Sequence, residues 1–271
     1  MRNSALIAVL VAACGPSPGS AADAGGGSDA ASADDAAVVV DAPPTATGPV
    51  DVVITADNAY SFGYGTSTSI THFTQGQRAQ TAGQIFNCPI GEGPEVYTVP
   101  EADAPDGAFL YIVTWDDLSV TQGVLGQFTR DQGTLYTGDP RFQVCATGID
   151  FSTGPNALVG PTQAEINAQI AICNAGSGDA ATTSKGWVNS AGAVTPGATG
   201  NLAIGEANDA AAGGTFPPTC APTMTTKGID VASKWMWYTP GNVADAFHST
   251  GSNTFKAYLI FRLGVADIVI F

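Results

Sequence analysis

Positive charge is scarce in this chain. Nine Lys and Arg stand against 24 Asp and Glu in 271 residues, a net charge of −15. Binding to nucleic acid needs clustered Lys and Arg to meet phosphate; no such cluster occurs, so nucleic acid is excluded as a partner. Histidine is nearly absent, with only His72 and His248. There is no Gly-x-Ser-x-Gly elbow, no His-Glu-x-x-His pair and no Gly-Lys-Ser/Thr phosphate loop. Asp245, His248 and Ser249 are close in sequence, but a triad is assembled by geometry, and a solvated loop histidine is the plainer reading. The chain therefore reads as non-catalytic; carboxylates brought together from distant loops, as in a glycosidase, are the enzymatic alternative. No Cys-x-x-Cys occurs, which removes the usual zinc spacing. Charged residues are only 12% of the chain, so solubility rests on Ser, Thr, Asn, Gln and Gly.

Apolar runs are short as well, and the first of them is informative. Arg2 precedes the run Ser4–Leu10, which falls well below the roughly 20 residues needed to cross a bilayer. With its basic start it reads as a secretion signal. Val11-Ala12-Ala13-Cys14 is an aliphatic residue, two small residues and a cysteine, and it resembles the lipobox of bacterial lipoproteins. The resemblance implies cleavage after residue 13 and lipidation of Cys14, hence export and a lipid anchor in the cell envelope, with the outer membrane (surface or periplasmic face) as the expected site. Residues 14–48 then form a linker of Ala, Ser, Gly, Asp and Pro without one aromatic residue. Such a segment buries too little apolar surface to offset its ordering entropy and is expected to be a disordered tether. Its run Asp41-Ala42-Pro43-Pro44 resembles the stalks of myxobacterial surface lipoproteins.

Residues 49–271 are enough for one all-β domain with a substantial core. Five of the acids lie in the tether, which leaves the domain 19 acids against 8 bases. With Cys14 lipidated, Cys88, Cys145, Cys173 and Cys220 remain. An even number in an oxidising compartment suggests two disulfides, and four cysteines allow three pairings.

Strand signals recur through the domain. Val52–Thr55 is β-branched, Ala56–Ala59 has turn chemistry, and Tyr60, Phe62 and Tyr64 alternate on one face of a second strand. Residues 65–84 read as surface strands or loops, Gln84–Cys88 as a strand, and 91–107, with three prolines and five acids, as a long connection. Ala108–Trp115 is the strongest strand, followed by an Asp116-Asp117 turn and by strands over Val120–Phe128 and Phe142–Cys145. Trp187-Val188 and Leu202–Ile204 are short strand candidates, and Lys234–Tyr238 alternates with Trp235 and Trp237 on one face. Phe255–Leu263 is a long strand, and Ala266–Phe271 a closing one, preferred to a terminal membrane hairpin. One helix stands out: Thr162-Gln163-Ala164-Glu165 is a capping box, and Ile166, Ile170 and Cys173 follow in helical stripe. Short strands with Gly-rich turns predict a β-sandwich or jelly roll with one short inserted helix.

Ile54–Tyr60, Tyr111–Asp117 and Tyr258–Arg262, in that order, resemble the opening strand pair, the central Trp-and-acid strand and the closing strand of exported β-sandwich modules similar to galactose-binding-like jelly rolls. The resemblance implies a binding or structural role. Trp235, Trp237, Tyr60 and Tyr64 are candidate sugar platforms, with core packing as the other reading; for Trp115 and Trp187 core is favoured. Asp57, Asn58, Asp116 and Asp117 would meet at one end of a sandwich, either as a structural calcium site or simply as good turn residues. The expected function is binding of carbohydrate or a surface polymer; the alternative is a structural envelope or appendage component acting through protein contacts.

Overall fold

The computed structural model describes residues 47–271 apart from 87–92, 116–119, 132, 152–158, 210–213, 220–227, 242, 244, 249–256 and 269–271. The expected secretion signal, Cys14 and most of the expected tether lie outside the described residues. Pro44–Phe271 forms one compact unit. Among the described residues no helix is long and apolar enough to cross a membrane.

The expected all-β sandwich is what the chain forms. Thirteen strands are described: β1 (Val50–Asp57), β2 (Ala59–Gly65), β3 (Ile70–Arg78), β4 (Glu95–Val99), β5 (Phe109–Trp115), β6 (Gly123–Arg130), β7 (Gly133–Tyr136), β8 (Gln143–Asp150), β9 (Val188–Asn189), β10 (Gly192–Ala193), β11 (Asn201–Ala207), β12 (Lys234–Thr239) and β13 (Ala257–Gly264). The first sheet runs β11-β12-β6-β1-β4, with β7 also on β6; the second runs β10-β9-β8-β13-β5-β2-β3. Every pairing is antiparallel.

The apolar strands alternate between two destinations. In β5, Leu110 and Ile112 enter the core between the sheets, while Tyr111, Val113 and Trp115 point outward into a second cluster. In β13, Leu259, Phe261 and Leu263 point inward, Tyr258 and Ile260 outward. In β1, Val52 and Ile54 face the core and Val53 a third cluster. These strands read as nearly continuous hydrophobic runs because both of their faces are covered, which is how period-2 alternation is lost.

The helix forms where its capping box places it, as α2 (Gln163–Ala175), with α1 (Gly83–Phe86) before it. Thr162 Oγ1 accepts from Glu165 N, Glu165 Oε2 accepts from Thr162 N at 2.8 Å, and Gly176 closes the helix in the left-handed conformation. Its stripe of Ile166, Ile170 and Cys173 is buried on the outer face of the second sheet. A disulfide joins Cys173 to Cys145 of β8. That bond leaves Cys88 and Cys220, which lie outside the described residues.

Three expectations are corrected. Gln84–Phe86 is not strand but part of α1, whose turn is held by Gln84 Oε1 accepting from Gln80 N (2.5 Å) and Thr81 N (3.2 Å). The supposed connection 91–107 contains β4, whose Glu-Val-Tyr-Thr-Val alternation pairs in full register with β1; its flanking prolines and acids belong to its ends. The closing segment starts as a 3-10 turn over Val265–Asp267, because Asp267 follows Gly264 where a strand would need an apolar partner; 269–271 are not described.

Candidate functional site

All four tryptophans are buried, at 2% exposure or less, which removes Trp235 and Trp237 as exposed sugar platforms. Trp235 stacks on Phe216 at 4.0 Å between ring centroids and belongs to the cluster outside the first sheet. It lies over Gly123 of the strand beside it, where a Cβ would approach the indole to 2.8 Å. Trp237 belongs instead to the core between the sheets, near Phe261 of β13. The two therefore do not share a face as the alternation of Lys234–Tyr238 suggested: Trp235 is covered because Phe216 and Ile229 roof the outer face of the first sheet, and Trp237 because it points into the core. Trp115 is wedged against Gly160, where φ is +70° and a Cβ would lie 2.1 Å from the ring. Trp187 packs under the helix.

One concave polar surface among the described residues lies at the corner where β1 turns into β2. A pocket of about 110 Å³ is lined there by Asn58, Tyr60, Gln77, Arg78, Gln84 and Glu95, among others. A second pocket, of about 250 Å³, adjoins it across Asn58 and Ala79 and runs past Phe86 to Thr121. Four elements supply these groups. β2 carries Tyr60, the end of β3 carries Gln77 and Arg78, the turn of α1 carries Gln84, and the start of β4 carries Glu95. Ala79 N donates to Asn58 O at 2.8 Å and ties the β3 end to the β1–β2 corner.

The pocket's chemistry is neutral hydrogen bonding around one cation and one carboxylate. The Tyr60 and Tyr97 hydroxyls are hydrogen-bonded to each other at 3.1 Å. Burial, then the neighbouring Tyr97, pushes the Tyr60 hydroxyl well above its ordinary range. Burial also raises Tyr97. Both phenols are therefore protonated at neutral pH and act as a donor–acceptor pair. Tyr97 in turn stacks on Phe62 at 4.7 Å, so the hydroxyl pair sits on a rigid aromatic base.

Of the residues singled out in the sequence, Tyr60 and Asn58 reach this corner. Tyr64 does not line it; half-buried, it stacks on His72 at 4.6 Å. Asp57 ends β1, lines the second pocket and accepts a hydrogen bond from Thr121 Oγ1. Asp116 and Asp117 lie outside the described residues, and among the described residues no group of three His, Cys, Asp or Glu is placed to hold a metal. His248 Nδ1 is 2.5 Å from Asp245 Oδ2 on a partly exposed loop, and that loop is latched to the start of β6 by Gln122 Nε2 donating to Ala246 O at 2.6 Å. Ser249 is not described.

Sequence reading missed Gln77, Arg78, Gln84 and Glu95, because no spacing links residues from separate elements. The one signal available was the polar alternation of β3, Thr-His-Phe-Thr-Gln-Gly-Gln-Arg, which marks an edge strand with little to bury. The chain matches no protein-family model, no curated protein and no solved structure.

Proposed function

We propose that this chain is an exported envelope lipoprotein, anchored through Cys14, whose β-sandwich is a non-catalytic carbohydrate-binding module with the β1–β2 corner as its sugar site. The observation that carries the reading is the corner's donor set. Three amide side chains, a guanidinium, a carboxylate and the Tyr60 phenol, which is hydrogen-bonded to Tyr97 beside it, line about 110 Å³. Sugar hydroxyls both donate and accept, and amides and phenols answer in both senses. Typical pockets for drug-like ligands are several hundred Å³ and mostly apolar; this one is small and polar, which suits the end of a glycan. The anchor rests on Arg2, the apolar run and the lipobox, and the jelly-roll kinship on the three ordered segments. Acyl chains contribute about 0.8 kcal/mol per buried CH₂, so the linkage would be firm.

A second reading has its own observation. Among the described residues β4 and β3 are terminal strands of their sheets, β3 meeting α2 at Ile70, and β4 exposes Val96. A bare edge is a template for another strand, which fits a structural envelope component.

The test is binding of the full chain to a polysaccharide and glycan array, with calcium and with EDTA. Saturable binding supports the module, and loss in EDTA would bring calcium into the site. A blank array together with self-association would overturn the carbohydrate reading in favour of the structural one. Cys14→Ala should move the protein from the membrane fraction to the soluble fraction; continued membrane retention would remove the anchor.

A further inference from the structure

The two cavities at the β1–β2 corner differ in character although they adjoin. Asn58 and Ala79 border both. The first, of about 110 Å³, presents mainly the polar groups of Asn58, Gln77, Arg78, Gln84 and Glu95. The second, of about 250 Å³, has an apolar side made by Ile85, Phe86 and Val120. The Phe86 ring lies 6.0 Å from Trp235, which stacks on Phe216, so this side is the margin of a packed aromatic cluster. Val120 is nevertheless 61% exposed and Phe86 only half-buried. Apolar surface is thus left for a ligand to cover.

The rest of the second cavity is polar, and part of it is unengaged. Asp57, Gln80 and Thr81 stand there. Asp57 accepts a hydrogen bond from Thr121 Oγ1, and a carboxylate can accept several. The backbone N–H groups of Gln80 and Thr81 both donate to Gln84 Oε1, at 2.5 and 3.2 Å. Their side chains are different: among the described residues nothing bonds the Gln80 amide or the Thr81 hydroxyl, and both residues are exposed. With Ala79 N bound to Asn58 O at 2.8 Å, the turn that carries them is fixed before a ligand arrives.

We propose that the two cavities form one site for an N-acetylated amino sugar, with ring hydroxyls in the first and the acetamido group in the second. This rests on the carbohydrate reading and narrows it. An acetamido group offers one N–H donor, one carbonyl acceptor and one methyl, all on a single ring substituent. The second cavity answers each of them. Asp57 accepts from the N–H, the Thr81 hydroxyl or the Gln80 amide donates to the carbonyl, and Ile85, Phe86 and Val120 cover the methyl. A plain hexose would leave that apolar side wet. A 6-deoxy sugar would bring a methyl but no amide for the polar side. A free amine would set a charge against Phe86, at a desolvation cost.

The experiment is titration and saturation-transfer NMR of the full chain with N-acetylglucosamine and N-acetylgalactosamine, each beside its parent hexose. Glucosamine and fucose test the nitrogen alone and the methyl alone. At least one N-acetyl sugar should bind about tenfold tighter than its parent, as one covered methyl plus one hydrogen bond would give. Its acetyl methyl should receive the strongest saturation. Val120→Ser, at an exposed position, should lower the ratio of N-acetyl to parent affinity by about three- to fivefold. Equal affinity for the parent hexose, glucosamine or fucose would overturn the inference and leave the carbohydrate reading standing. Weak saturation of the methyl relative to the ring protons, or an unchanged ratio in Val120→Ser, would do the same, as would binding of some other glycan but of neither N-acetyl sugar. No binding of any of these sugars, together with a blank glycan array, would overturn the carbohydrate reading itself. If Val120→Ser does not fold, the wild-type comparison decides.

Discussion

The two sheets cover their outer faces by different means. Outside the second sheet lies regular structure. There α2 presses Ile166 and Ile170 onto Tyr111, Val113 and Ile260, and the Cys145–Cys173 bond ties helix to strand. Outside the first sheet the cover is mostly irregular chain. Phe216 and Ile229 fold over Trp235, Leu125 and Val53, and among the described residues the only helical contribution is Ile85 and Phe86 from the four-residue α1. The irregular segment is held by polar side chains. Glu206 accepts from the backbone N–H groups of Thr215 (2.9 Å) and Phe216, and buried Asn208 accepts from Thr219 N (2.8 Å) and donates to Ile229 O (2.7 Å). One cover is a covalently pinned three-turn helix, the other a single helical turn and a loop sewn down by two side chains. Both achieve the same end, because an apolar sheet face must be buried against something. Their vulnerabilities should differ.

The largest difference should appear on removing the disulfide. Cys145 and Cys173 are 28 residues apart, and freeing a loop of that length costs about 3–4 kcal/mol by the chain-entropy estimate. Cys145→Ser with Cys173→Ser, or reduction, should lower the denaturation midpoint accordingly, with hydrogen exchange rising over α2 while Trp235 stays protected. Equal loss of protection on both faces would merge the two covers into one unit.

Asn208→Ala is the matching cut on the other face. It strands a buried backbone donor and a buried acceptor, at a cost of roughly 2–3 kcal/mol. The Phe216–Trp235 stack should loosen, read as a red shift in tryptophan emission, with α2 unaffected. Thr162→Ala removes only the cap of α2 and should cost about 1 kcal/mol. If Thr162→Ala cost more than Asn208→Ala, the ranking of covalent helix and polar stitching would be reversed.

The smallest effect concerns neither cover but the link between the sheets. Burial would raise the Asp139 carboxyl, yet the side-chain and backbone hydrogen bonds from Arg141 and its charge outweigh that and hold it below its ordinary value of 3.8. Arg141 Nη1 also donates to Asp267 O at 2.6 Å, joining the β7–β8 connection to the turn after β13. A depressed carboxyl stabilises the fold above its unfolded value and loses that contribution as pH falls through its folded one. Asp139→Asn should therefore be less stable than wild type at pH 5–7, and the difference should shrink as pH falls below 3.8. The difference should stay below about 1 kcal/mol, because the pair is partly exposed. Urea midpoints across that range are the check.

The contrast between the covers also explains what could be read in advance. α2 was legible to the residue because a capping box and a stripe at spacings of four and three are local signals. Strands β5 and β13 were legible because their apolar runs are long. The roof over Trp235 was not, since it is made of separated residues without a period, and so Trp235 looked free to face water. α1 is too short to show a period, and β4 was hidden by the prolines and acids around it. The corner pocket was half legible: Asn58 and Tyr60 sit in a recognisable turn, while Gln77, Gln84 and Glu95 converge only after β1 to β4 have folded.

The account's central claim is that the β1–β2 corner binds sugar. The most direct measurement is a titration of the full chain with the best ligand from the array, run in parallel on wild type, Gln77→Ala and Thr162→Ala. Gln77 is exposed on an edge strand, so its loss should spare the fold. The account predicts affinity lowered by about tenfold in Gln77→Ala, the equivalent of one well-placed hydrogen bond, and unchanged in Thr162→Ala. Full affinity in Gln77→Ala, or an equal loss in Thr162→Ala, would contradict it.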